Sequence, residues 1–234
     1  MEKLDAKAIR RIVFDWKIYV LGATACCTTV TVYSVAIFSP SIINQFSPGQ
    51  SPRHVQALVI PIFVAAMVGC LAAAYASDKL KHRSSFALFG YLLVIIGASI
   101  LINQKQVNTH VKYGALYFMA VGGYISLPML WTMLVNNLSG SYKIGFAVAL
   151  EVGLGNFGGI ASALVFQGKM APFFVVGYKT VLGMSCAAAA LVCIYTFALY
   201  MENKARDAGK RDHRLSDPEI DNLGDDHPHF RYGY

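Results

Sequence analysis

Residues 131–160, WTMLVNNLSGSYKIGFAVALEVGLGNFGGI, decide how this chain is read. The stretch closes one apolar run at Asn136 and Asn137, turns through Leu-Ser-Gly-Ser, and enters a second apolar run at Ile144. A helix of about 20 apolar residues crosses the hydrocarbon of a bilayer, because each residue rises about 1.5 Å. Inside the second run sits Glu151, the only charged residue of the chain deep within an apolar run. A carboxylate in hydrocarbon is costly, so it marks a pathway or a coupling site. Glu151 lies about eight residues into its run, roughly 12 Å along the helix. That depth approaches the midplane, where transporter sites gather.

Outward from this stretch the composition repeats the message. Of 234 residues, 56% are hydrophobic and only 14% charged, and the mean hydropathy is +0.48. A soluble domain carries about 25% charged residues. The apolar residues fall in six runs, at 18–38, 57–76, 86–102, 113–135, 144–166 and 181–200. Each must be a helix, since a lone segment in lipid has to satisfy its backbone hydrogen bonds internally. The fold class expected is therefore an all-α integral membrane protein with six transmembrane helices. It divides into a basic N-terminal segment (1–17), a membrane bundle (18–201) and a polar tail (202–234). The opening MEKLDAKAIRRIVFDWK lacks the short apolar core and small-residue site of a cleavable signal peptide. The tail, rich in charge, Pro and Gly, is expected to be largely extended.

The formal charge of +7 is distributed unevenly. With both termini in the cytoplasm, fifteen of the twenty Lys and Arg residues fall on the cytoplasmic side. The exceptions are Arg53, Lys105, Lys112, Lys169 and Lys179. This bias sets orientation by the positive-inside rule. It also accounts for the basic charge without a nucleic-acid partner; the partner is membrane lipid. The five cysteines all lie in apolar runs and lack zinc-site spacing, so neither a disulfide nor a metal is expected. The six histidines lie in loops or the tail. No nucleophile elbow and no phosphate-binding glycine loop occurs. The sequence points away from an enzyme, a cofactor or ATP-driven pumping.

What remains is a polar set within the bundle: Tyr33, Ser34, Tyr124, Asn136, Asn137, Glu151 and Asn156. These residues are the candidates for the wall of a substrate and proton path, with Glu151 taking up and releasing the proton. The competing reading of Glu151 is a protonated side chain in a structural interhelical hydrogen bond. Gly155 and Gly159 form a GxxxG, a pattern that lets helices approach closely. Packing against a neighbouring span is the expectation there. Pro61 and Pro128 stand inside spans and would kink them.

The turn Ala74-Tyr-Ala-Ser-Asp78-Lys79-Leu-Lys81-His82-Arg83 resembles the loop signature of the major facilitator superfamily. Asp78, Lys79 and Arg83 match the Gly-x-x-x-Asp-Arg/Lys-x-Gly-Arg/Lys-Arg/Lys pattern. Ala74 and Lys81 stand at its two glycine positions. A gating role is what this resemblance implies, with Asp78 accepting hydrogen bonds from the N-terminus of the fifth span near Ser141 to Gly145. The paired Asn136-Asn137, the Gly155-Asn156-Phe157-Gly158-Gly159 run and the closing Asp225-Asp226-His227-Pro228-His229-Phe230-Arg231-Tyr232 resemble the fungal allantoate-permease-like branch, the anion:cation symporters. The likeness covers nearly the whole chain as the C-terminal half of such a protein. It implies half of a major facilitator bundle, a 3+3 inverted repeat. It also implies proton-coupled uptake of a small organic anion or vitamin-like carboxylate at the plasma membrane by alternating access. Alternating access needs two halves. The partner is then a second six-span half or a second copy of this chain; otherwise the chain is a truncated half that transports nothing alone.

Overall fold

The computed structural model describes residues 6–46, 49, 51–167, 173–216 and 223–233. A short helix, α1 (Ala6–Val13), leads into six long ones. These are α2 (Trp16–Phe46), α3 (Pro52–Leu80), α4 (Arg83–Ile102), α5 (Thr109–Asn136), α6 (Ser141–Val165) and α7 (Val175–Asp207). All six are long and apolar enough to cross a membrane. Each predicted run falls inside one helix, apart from Phe166, which caps α6. The helices outlast their apolar windows because polar residues at the ends continue the backbone ladder. Among the described residues there is no strand.

Local signals set the boundaries. The Ser51 hydroxyl accepts from the His54 amide and Pro52 stands in the first turn, which starts α3. At the other end Lys81 adopts a left-handed φ of 56° and returns its amide to the Ser77 carbonyl at 2.8 Å. A glycine is the ordinary residue for that conformation. This is the position where the loop signature carries its second glycine, so the backbone keeps the turn although the side chain has changed. Two residues then suffice to reach α4.

The helices pair in a pattern with its own symmetry. The main contacts are α4 with α5, α2 with α6, α4 with α7, α2 with α5, α3 with α5 and α2 with α7. Exchanging α2 with α5, α3 with α6 and α4 with α7 maps this set of pairings onto itself. That is the signature of two three-helix units in inverted repeat. α2, α4, α5 and α7 form the core, while α3 leans mainly on α5 and α6 mainly on α2.

Small residues fix the closest approaches. Gly90 of α4 and Gly122 of α5 meet backbone to backbone, so a Cβ on either would run into the other's carbonyl. On α6, a Cβ at Gly158 would run into the Thr29 hydroxyl and the Cys26 carbonyl. Gly155 accepts from the Thr29 hydroxyl, and Gly159 lies against the Tyr33 ring. Of these three glycines, Gly158 makes the tightest approach. All five cysteines are free thiols.

The tail departs from expectation. Residues 223–233 are not extended but fold back across the same ends of α2, α5, α6 and α7. Its composition is too polar to form a core. Leu223 and Tyr232 nevertheless bury themselves, and the cations at the helix ends supply partners for its carboxylate and carbonyls.

Candidate functional site

The periodicity of α6 sorts its residues into two faces. Lys143, Ala147, Glu151, Gly155, Gly158 and Ser162 are buried, spaced by four or three residues along one stripe. Gly153, Asn156, Phe157 and Ile160 are exposed on the opposite side. Glu151 therefore lies on the packing stripe that faces α2. It is fully buried, and neither carboxylate oxygen has a hydrogen-bond partner among the described residues. Its surroundings include the hydroxyls of Tyr91 and Tyr195, both within electrostatic reach. Tyr91 is bonded to Thr28 at 2.7 Å. The Tyr195 hydroxyl comes near Asn137 without hydrogen-bond geometry.

Asn156 lies on the open face. Its side-chain oxygen accepts from the Tyr33 hydroxyl of α2 at 2.9 Å. Asn156 is the sixteenth of 25 residues in α6, so this exposed polar pair stands well inside the span. Ser34, next to Tyr33, is buried and bonded to Ser162, also on α6, at 3.0 Å. Tyr124 is half-buried with its ring edge-on to Phe63 of α3. Asn136 is exposed at the end of α5, and Asn137 is fully buried one residue on. The polar set is thus split between an open face (Tyr33, Asn156), the bundle interior (Ser34, Glu151) and one end (Asn136, Asn137).

The turn between α3 and α4 is exposed. Asp78 pairs with Arg83 at 3.1 Å rather than with the first turn of α6. Lys79 lies over the ring of Tyr75. The carboxylates that meet the start of α6 come from elsewhere. Lys143 is held by Asp15 at 2.6 Å and by Asp225 of the tail at 2.8 Å. The same two acids hold Lys17, with Asp15 at 3.3 Å and Asp225 in close contact. All four side chains are less than a tenth exposed.

The tail is fastened at further points. Asn137 exchanges two hydrogen bonds with the Gly233 backbone, both 2.8 Å. Asn203 does the same with Tyr232, at 2.9 and 3.0 Å. Arg206 lies over the Tyr232 ring and donates to the carbonyls of Asp225, His227 and Phe230. Sequence reasoning passed over Asp15, Lys17, Lys143, Asn203 and Arg206. Their signal was present in the closing Asp-to-Tyr pattern and in the two lysines at the margins of apolar runs. Asn137 was found but serves the tail.

No family model matches the chain. Several curated proteins do resemble it. An uncharacterized transporter of Schizosaccharomyces pombe is 28% identical over 226 residues, 96% of this chain and 44% of that protein. The high-affinity nicotinic acid transporter of Saccharomyces cerevisiae is 25% identical over 236 residues, covering 100% of this chain and 43% of that protein. The major facilitator-type transporter hxnP of Emericella nidulans is 28% identical over 88% of this chain and 41% of its own length. The chain spans less than half the length of these curated relatives. By sequence and by its six-helix architecture, it is similar along nearly its whole length to fungal transporters of the major facilitator type.

Proposed function

We propose that this chain forms one six-helix half of a plasma-membrane transporter that moves a small organic anion by alternating access, coupled to protons. Both termini lie in the cytoplasm in this reading, as the basic ends require. A second half, or a second copy of the chain, covers the open face of α2 and α6. The observation that carries the proposal is the Tyr33–Asn156 pair, a hydrogen-bonded polar couple exposed well inside two spans. Lipid is a poor neighbour for such groups, whereas a substrate path is a good one. Likeness to a nicotinic acid transporter supports a carboxylate on a small ring as the substrate class. The Tyr33 hydroxyl and the Asn156 amide would hold polar groups of that ligand. Glu151, buried behind them on α6, carries the proton.

The test is uptake of labelled nicotinate and related monocarboxylates in cells expressing the chain with its partner half. Tyr33→Phe and Asn156→Ala should weaken uptake about tenfold while leaving protein levels unchanged, because a lost hydrogen bond costs about 1 kcal/mol or more. Wild-type uptake in both variants would overturn the assignment of this face.

A further inference from the structure

A cavity of about 390 Å³ opens at the end of the bundle that carries the tail. Six cations line it: Arg11, Lys17, Lys143, Arg206, Arg211 and Arg214. The acids at hand are Asp15, Glu202 and Asp226 on the wall and Asp225 against the two lysines. The outer pair is only partly engaged. Arg211 turns Nε and Nη2 onto Glu202 at 3.0 and 2.6 Å, and Arg214 turns Nη1 onto Asp226 at 3.2 Å. A guanidinium has five N–H donors, so both keep donors for a further anion. Both are about a third exposed, with side chains 36% and 31% accessible.

The lip of the same cavity is apolar. Phe14 and Trp16 line it and are 77% and 44% exposed. Ile9 of α1 is exposed nearby in sequence. Bare aromatic rings beside converging guanidinium groups match an amphiphile, with its charged group inside and its chains alongside the rings.

We propose that this cavity binds a phosphate-bearing anion, and that its occupant in the membrane is the headgroup of an anionic phospholipid. Arg forks match phosphate oxygens two at a time. The volume suits a headgroup rather than a single small ion. Trp16 stands where aromatic residues anchor at the membrane–water boundary. Basic pockets between helices at the cytoplasmic surface meet the leaflet that holds anionic lipid. This site is separate from the Tyr33–Asn156 face and rests on the cytoplasmic placement of the termini proposed above, not on the transport of a substrate.

The test uses the full chain in nanodiscs, with lipid retention read by native mass spectrometry and unfolding temperature read in parallel. The probes are phosphatidylinositol 4-phosphate, phosphatidylcholine, soluble inositol trisphosphate and inorganic phosphate. Phosphatidylinositol 4-phosphate is expected to be retained about tenfold better than phosphatidylcholine, and R211Q/R214Q should abolish that preference. R214Q alone leaves the Glu202 pair intact and should lose a smaller share, which keeps the test open if the double variant does not fold. Equal retention of both lipids, or a variant that keeps the full preference, would overturn the site. Protection by soluble inositol trisphosphate or inorganic phosphate equal to that by the lipid would keep the phosphate site and overturn the lipid as its occupant.

Discussion

Lys17 of α2 and Lys143 of α6 grip the same two carboxylates, Asp15 and Asp225, in a buried square of alternating charge. Asp225 lies 208 residues from Lys17. Neither ammonium could stay dry with one distant counter-ion, because desolvation costs several kcal/mol per ion. Sharing two acids between two bases neutralises the group and makes the tail part of the bundle.

Asp225→Asn should release the tail. The substitution leaves two buried lysines to a single acid, and breaking such a group costs about 3 kcal/mol. The expected results are a lower unfolding temperature and new protease cleavage within 223–233. A variant cleaved no faster than the wild type would show that the Asn137, Asn203 and Arg206 contacts hold the tail alone.

The docked tail should not respond to physiological pH. Burial alone would push the Asp225 carboxyl up, but Lys17 and Lys143 outweigh it and hold the group below its usual 3.8. A carboxyl depressed by folding stabilises fully above its unfolded value and loses that contribution as pH falls through its folded value. Hydrogen-exchange protection across 223–233, measured against the intrinsic rate at each pH, is thus expected to stay constant from about pH 8 to pH 5. Release beginning near pH 6 would assign the switch to another group.

Much of this was legible beforehand, for a physical reason. A run of apolar residues announces a span because every side chain in it votes the same way, so all six helices could be placed from hydropathy. Faces are harder. Glu151 and Asn156 are five residues apart, about 140° around a helix, so they could not share one wall, and the structure puts one inside and the other out. Asn136 and Asn137, about 100° apart, part in the same way. The tail was illegible because its anchors are few. Leu223, Asp225 and Tyr232 do not shift an average over a polar segment, and their partners lie far away in the chain.

α6 should be sensitive at one glycine, on its seam with α2, and tolerant at another, on its open face. Gly158→Val forces atoms into the Thr29 hydroxyl and the Cys26 carbonyl, and overpacking of this kind costs about 1–3 kcal/mol. Gly153→Ala meets nothing within 4 Å and should stabilise by roughly 0.5–1 kcal/mol through helix propensity. Unfolding temperatures of the two variants should move in opposite directions. A shift of the same sign would mean that this seam is looser than described.

Glu151 separates stability from coupling. Neither of its oxygens has a partner among the described residues, and an unsatisfied buried polar group costs about 1–3 kcal/mol. Glu151→Leu is therefore expected to raise the unfolding temperature. Glu151→Gln, which keeps the shape and cannot titrate, should flatten the pH dependence of uptake. If uptake in Glu151→Gln follows pH as the wild type does, the proton is carried elsewhere.

The inverted repeat makes α3 and α6 equivalent flanking helices, yet only α6 is described with a buried ionic anchor at one end. α6 is held at Lys143, pressed on α2 at Gly158, bonded to α2 again through Ser162 and Ser34, and closed by Phe166, buried against the rings of Phe38, Phe174 and Tyr178. α3 leans on α5 with a surface ion pair at its close. Of two look-alike struts, one is moored by buried charge at its start, and the other rests on α5 with its closing turn at the surface.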